Sequence, residues 1–174
     1  MSKRAPRGEA TTEDFYCMPP WVVEALLPFI LTGSRIWEPT HGAGSISDVL
    51  RAAGHTVHAS DKFVKPNYPC RELDFLTQTI PDDYDWVVFN PPFSQLAEFL
   101  GRACSLGKPF AMLCPLYTLE TPSRQALIKE HKLSVLLPPR RANFRKENGD
   151  EKKGTPFLSI WLMKNPEHEN KILI

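Results

Sequence analysis

The sequence has no apolar run approaching the roughly 20 residues that a membrane-spanning helix needs. Its first fourteen residues are basic and polar and lack the apolar stretch of a secretory signal. A soluble chain working in the cytoplasm is the expectation, with residues 1–14 as a flexible tail. Cysteine is sparse: Cys17, Cys70, Cys104 and Cys114 stand far apart, with no Cys-x-x-Cys pair. That spacing argues against a zinc knuckle and against a secreted disulfide framework, leaving reduced, partly buried thiols as the expectation. His55, His58, His131 and His168 show no ligand spacing, so no metal is expected. Charge of one sign is also lacking. The formal net charge is +1, so a surface for any polyanion has to be a local patch. There is no internal repeat, and no low-complexity stretch beyond the tail.

Proline, by contrast, is plentiful. Seventeen prolines include the pairs Pro19-Pro20, Pro91-Pro92 and Pro138-Pro139, which punctuate the chain between apolar runs. A length of 174 residues suits one domain, and a hydrophobic content of 42% is enough for a real core. Between the breaks the spacing predicts helices over 19–30, 45–53, 95–106 and 122–131. Strands are expected over 35–38, 55–60, 85–90, 109–116, 133–137 and 157–163, with a shorter extended segment over 71–73. Gly33, Gly54 and Gly107 close helices, and Ser94 is the expected N-cap of the third. This alternation is the pattern of a doubly wound α/β sheet. Trp37, Trp86 and Trp161 fall in strand-like apolar runs and read as core. Residues 138–156 are polar and without period, and read as a long exposed loop between two paired strands. Loops of that length are often functional.

Glu38-Pro39-Thr40-His41-Gly42-Ala43-Gly44 lies between a strand and a helix. Two glycines one residue apart let the backbone turn tightly and approach a ligand, and the following helix start offers free N–H groups. Asp61 ends the next strand, seventeen residues after Gly44, where a carboxylate can accept both hydroxyls of a ribose. A Gly-x-Gly alone is equally a structural turn. The order strand, turn, helix, strand, acid raises it to a nucleoside-cofactor site, for which NAD and S-adenosylmethionine compete. Against NAD, the third glycine of its motif is absent, because Ser47 stands there. Glu38 ahead of the turn suits a ligand with an ammonium and a sulfonium better than a pyrophosphate. Asp74, in Leu73-Asp74-Phe75-Leu76, either holds an adenine amine or is a loop acid with core neighbours.

Asn90-Pro91-Pro92-Phe93 is the sharpest feature. A buried strand delivers it to the carboxyl edge of the sheet, where open α/β folds bind ligands. An adenine amine is a poor nucleophile because its lone pair is delocalised into the ring. Acceptors that draw on its hydrogens favour a tetrahedral amine. The Asn90 carboxamide oxygen is one such acceptor, and the Pro91 carbonyl is a candidate for the second. The prolines fix φ and add no competing donor. Phe93 offers a flat face on which a base can stack.

Together these residues resemble the amino-methyltransferases, in particular the small phage-type and restriction-type DNA adenine methyltransferases. The resemblance covers nearly the whole chain after Phe15. Phe15-Tyr16-Cys17-Met18-Pro19-Pro20-Trp21 is similar to the family's N-terminal cofactor motif, and residues 38–44 to its first cofactor motif. Asn90-Pro91-Pro92-Phe93 is its catalytic motif, and Pro138-Pro139-Arg140-Arg141 with residues 155–161 resembles its C-terminal hairpin. The resemblance implies a Rossmann-like class I methyltransferase fold: a seven-stranded, mostly parallel sheet with an antiparallel last strand and helices on both faces. It implies S-adenosylmethionine as cofactor. It places Tyr16, Met18, Pro19, Glu38, Pro39, Thr40, His41, Gly42, Gly44, Asp61, Lys62, Asp74, Phe75 and Asn90 around that cofactor, and Asn90, Pro91, Pro92 and Phe93 at the target base. It departs from the family at His41, where a small residue or Cys is common, and at Met18, where Thr is usual. No stretch is long enough for a separate target-recognition domain, so residues 15–174 are expected to form one catalytic domain. Specificity then rests on a very short site, on none, or on a partner, a second copy included.

The stretch 140–153 carries six basic against three acidic side chains, with Asn143 and Phe144 between the charges. Arg140, Arg141, Phe144, Arg145 and Lys146 are the candidate nucleic-acid contacts, able to track a phosphate backbone and wedge a base, and a solvated hairpin tip is the alternative. DNA is the favoured partner. RNA adenosine, protein glutamine and cytosine amines pose related chemistry, although the glutamine group usually carries Tyr where this chain has Phe93. A non-catalytic cofactor-binding subunit and an NAD oxidoreductase are readings from other classes.

Overall fold

The computed structural model describes residues 16–78, 83–143, 145–146 and 157–174. The tail over 1–14 and Phe144 lie outside the described residues. An eight-stranded sheet forms the frame, in the order β10-β7-β9-β6-β5-β2-β3-β4. Its strands are β2 (Arg35–Glu38), β3 (Thr56–Asp61), β4 (Arg71–Glu72), β5 (Trp86–Phe89), β6 (Phe110–Pro115), β7 (Ser134–Leu136), β9 (Ser159–Lys164) and β10 (Ile172–Leu173). All neighbours run parallel except β9, which is antiparallel to both β6 and β7. A separate two-stranded pair joins β1 (Tyr16–Cys17) to β8 (Arg145–Lys146).

Successive strand residues point to opposite layers, and the two cores follow from that. Ile36, Trp86, Val88, Ala111, Leu113 and Trp161 face one layer with Val22, Val23, Ile46 and Leu50. These belong to α1 (Pro20–Glu24) and α2 (Ser45–Ala52). Trp37, Val87, Phe89, Phe110 and Met112 face the other, under Phe99 and Leu100 of α3 (Leu96–Ser105) and beside Leu127 of α4 (Pro122–Glu130). All three tryptophans expected in the core are there, and Trp37 and Trp161 satisfy their indole N–H groups on Ser60 Oγ and the Val22 carbonyl, both at 2.8 Å.

The sheet has eight strands rather than seven. The extra strand, β10, extends the edge parallel to β7, and two residues carry too little pattern to be seen in sequence. The first helix is shorter than expected. It stops at Glu24, and a 3-10 turn over Leu27–Phe29 follows, because Pro28 has no N–H and disfavours helix at Leu27. Ser94 is not an N-cap but lies inside a 3-10 turn over Phe93–Gln95, with Gln95 at the cap position of α3. Within the expected loop after β7, Arg145–Lys146 is strand, held on Tyr16–Cys17.

The chain runs outward from β2 to β3 and β4, then returns across β2 to lay β5 on its other side. That reversal leaves a crevice between the carboxyl ends of β2 and β5, the place where open α/β sheets hold ligands. Among the described residues, no helix is long and apolar enough to cross a membrane.

Candidate functional site

The glycine turn leaves β2 at Glu38 and enters α2 at Ser45. Gly42 has φ of 53° and Gly44 of 80°, the left-handed region that side chains disfavour. At Gly44 an added Cβ would also sit 3.4 Å from His41 Cε1. The His41 N–H donates to the Ser60 carbonyl at 3.0 Å, which fastens the turn to the neighbouring strand.

Beneath the turn lies a buried polar knot. Glu38 is 1% exposed, and its Oε2 accepts a hydrogen bond from the Ser47 hydroxyl and lies 3.0 Å from His41 Nδ1. Burial pushes the Glu38 carboxyl up from the ordinary range, and hydrogen bonds from His41 and Ser47 pull the other way. Ser47 thus occupies the third-glycine position with a hydroxyl that serves Glu38, and His41 supplies a second partner. The sequence singled out both as departures without giving either a task. Glu38 itself is engaged in holding the turn.

Asp61 closes β3 and carries two backbone donors. Gly42 N–H reaches its Oδ2 and Phe63 N–H its Oδ1, both at 2.9 Å. A carboxylate has about four acceptor sites, so two such bonds orient it and leave capacity for a ligand's hydroxyls. Asp74 follows β4 and pairs with Lys62 at 2.9 Å. Partial burial works against its ionisation, but the bonds from Lys62 and the Leu76 N–H hold it below the usual carboxylate range. Phe75 is 2% exposed and stacks on Phe99 at 5.2 Å, so it presents an edge of the core to the site.

Asn90 follows β5 directly. Its N–H donates to Thr40 Oγ1 at 3.0 Å, while its Oδ1 is buried with no hydrogen-bond partner among the described residues. Phe93 packs edge-on to Phe157 at 5.5 Å, and Phe157 packs edge-on to Tyr117 at 5.8 Å.

Most of these groups share one cleft, which Phe93, Phe157 and Tyr117 do not line. Met18, Glu38, Pro39, Thr40, His41 and Gly42 line one part. Asp61, Lys62, Asp74 and Phe75 line another, and Asn90 and Pro92 a third. Leu76, from the Leu73-Asp74-Phe75-Leu76 stretch, and Ala43 of the glycine turn join them, as do Ser45, Ile46, Phe63, Gln95 and Phe99, which no motif marks in the sequence. Gly44 shapes the turn without lining the cleft. Pro91 is buried beside it, and Pro19 lines a neighbouring pocket with Trp21, Arg140 and Arg141. Tyr16, Arg145 and Lys146 are placed as backbone in the β1–β8 pair.

No protein-family model matches the chain, and no curated protein matches it in sequence. Solved structures do. One, described as a class I S-adenosylmethionine-dependent methyltransferase from Listeria monocytogenes, aligns with a TM-score of 0.62 at 13% identity over 94% of this chain and 68% of its own. The methyltransferase subunit of a type I restriction-modification system from Streptococcus thermophilus aligns at 0.57 and 14% identity, over 84% of this chain and 42% of its own. A protein described as a modification subunit of a type I restriction enzyme from Vibrio vulnificus aligns at 0.58 and 13% identity, over 90% and 45%. The chain therefore has the Rossmann-like class I methyltransferase fold, and it spans less than half the length of the two restriction-system subunits.

Proposed function

We propose that this chain transfers a methyl group from S-adenosylmethionine to the exocyclic N6 amine of adenine in DNA, as one catalytic domain over residues 15–174. The observation that carries the reading is the orphaned Asn90 Oδ1. A buried carbonyl oxygen without a donor is costly, by about 1–3 kcal/mol, and is held in place by the surrounding fold. Its missing partner is an N–H from a substrate. An amine or amide nitrogen fits that need, and a hydroxyl offers no second hydrogen for a second acceptor such as the Pro91 carbonyl.

The cleft fits the cofactor. Asp61, oriented by two N–H groups, suits the ribose hydroxyls, and Asp74 suits an adenine amine, with Phe75, Leu76 and Phe99 along the ring. When bound, S-adenosylmethionine supplies a methyl group on a good leaving group. Asn90 then orients the target amine and draws on its hydrogens, and Phe93, backed edge-on by Phe157, offers its face to the base. The restriction-system relatives in fold favour DNA as the source of that base. The segment carrying Arg140, Arg141, Arg145 and Lys146 is the phosphate-binding candidate, and a partner or second copy could add specificity.

The test is transfer of labelled methyl from S-adenosylmethionine to duplex DNA, single-stranded DNA, RNA and a protein extract, each digested to monomers. N6-methyladenine from DNA is expected. Label confined to RNA or to glutamine would move the substrate, and no label despite cofactor binding would end the catalytic reading.

A further inference from the structure

Beside the cleft is a second pocket whose lining includes Met18, Trp21, Arg140, Arg141 and Asn143. Its origin is in the sequence that leaves β7. Pro138 and Ala142 are buried, while Pro139, Arg140, Arg141 and Asn143 are exposed. Two residues further on, the backbone is pinned again, where Arg145–Lys146 pairs with Tyr16–Cys17. A Pro-Pro step has fixed φ at both residues. The two arginines therefore project from a segment anchored on both sides, unlike side chains on a free hairpin tip.

Arg140 is positioned further. Its guanidinium carbon lies 4.9 Å from the ring centroid of Trp21, over the indole face. Trp21 sits on α1 and packs partly against the core, so the platform under the cation is rigid. A guanidinium laid on an aromatic face keeps its N–H fork at its edge, in a geometry that matches two oxygens of a phosphate. The Asn143 carboxamide adds donors on the same rim, and no carboxylate is among the described residues lining the pocket. The chemistry is that of an anion site for a single phosphodiester.

Its place identifies which one. Met18 lines both this pocket and the cleft that holds Asn90. A ligand that puts a base at Asn90 and continues as a chain crosses Met18 and arrives at Arg140. We infer that the Trp21–Arg140 pocket seats the backbone phosphate flanking the target adenine, so that the enzyme grips the strand it methylates next to the reacting base. This rests on the proposed methylation of a nucleic acid and adds a contact that positions the substrate.

The test is fluorescence anisotropy of a labelled, adenine-containing single-stranded deoxyoligonucleotide across a series of salt concentrations, with wild type, Arg140→Ala and Arg140→Lys. Arg140→Ala is expected to weaken binding by about tenfold. It should also flatten the log–log salt dependence by about 0.7, the value for one phosphate contact on a single strand. Arg140→Lys keeps the charge and is expected to retain the slope while binding several-fold more weakly, because a point charge lacks the planar fork. Affinity for S-adenosylmethionine should be unchanged in both. Wild-type affinity and slope in Arg140→Ala would overturn the inference and leave Arg140 as a cover for Trp21. Failure of the wild type to bind or methylate any nucleic acid would overturn the proposed function first, and this contact with it.

Discussion

The backbone N–H of Asn90 donates to the hydroxyl of Thr40 at 3.0 Å, joining the end of β5 to the glycine turn fifty residues earlier. The bond spans the point where strand order reverses, so the glycine turn and the Asn90–Phe93 segment are fixed relative to each other across the crevice. Thr40→Val keeps the shape and removes the acceptor. It is expected to lower the methyl-transfer rate by about tenfold, the equivalent of roughly 1.4 kcal/mol in the barrier. Cofactor affinity should change much less. An equal change in both would mean that the bond holds the turn alone, and single-turnover rates with equilibrium cofactor binding separate the two.

Asp61 faces the cleft with each oxygen already held by one backbone N–H. Asp61→Ala removes the proposed ribose acceptor and also releases the Gly42 N–H. Calorimetry should show S-adenosylmethionine affinity falling by tenfold or more, since hydrogen bonds to a charged group are worth about 1.5–3 kcal/mol. An unchanged affinity would remove Asp61 from the site.

The knot of Glu38, His41 and Ser47 makes a different prediction, on stability. Glu38→Ala strips the acceptor from a buried hydroxyl and a buried ring nitrogen, and unfolding measurements should show a loss of about 1–3 kcal/mol. Glu38→Gln retains an acceptor and should lose less. Because burial raises the Glu38 carboxyl, its contribution to stability is present below the ordinary carboxylate range and falls as pH rises through the raised value. Glu38→Gln should remove that part of the profile.

Asp85 lies at the amino-terminal ends of β2 and β5, away from the cleft, where its carboxylate accepts from the Arg35 side chain and backbone at 2.8–3.2 Å. Hydrogen bonds from Arg35 hold it down to about 2. A depressed carboxylate stabilises the fold above the unfolded value of about 4, and the gain is lost as pH falls toward the folded value. The pair is half exposed, so solvent screening keeps that gain small. Asp85→Asn should flatten the acid limb of the stability profile and leave methyl transfer at neutral pH unchanged.

Much of this was legible in the sequence because two of its signals are local. Short apolar runs such as Trp86-Val87-Val88-Phe89 mark buried strands, and the glycine turn and Asn90-Pro91-Pro92-Phe93 each occupy contiguous residues. What escaped was set by tertiary pairing. The strand at Ile172–Leu173 exists only because β7 offers an open edge, and that at Arg145–Lys146 only because Tyr16–Cys17 lies opposite. Ser47 and Thr40 carry no signature of their tasks, since each acts through a partner brought close by folding. Trp21 reads as part of a cofactor motif, and its contact with Arg140 bridges residues over a hundred positions apart. Pro28 was visible in the sequence, and its effect on the first helix could have been read there.

The central claim is that the Asn90 carboxamide oxygen receives the target amine. It is tested most directly by comparing wild type and Asn90→Ala in a single turnover on adenine-containing DNA, quantifying N6-methyladenine by mass spectrometry, with S-adenosylmethionine affinity measured on the same preparations. N6-methyladenine formed by the wild type, its loss by a factor of about 100 or more in the variant, and nearly equal cofactor affinity are the predicted results. Methylation that survives the substitution, or a loss matched by an equal loss of cofactor binding, would contradict the role given to Asn90.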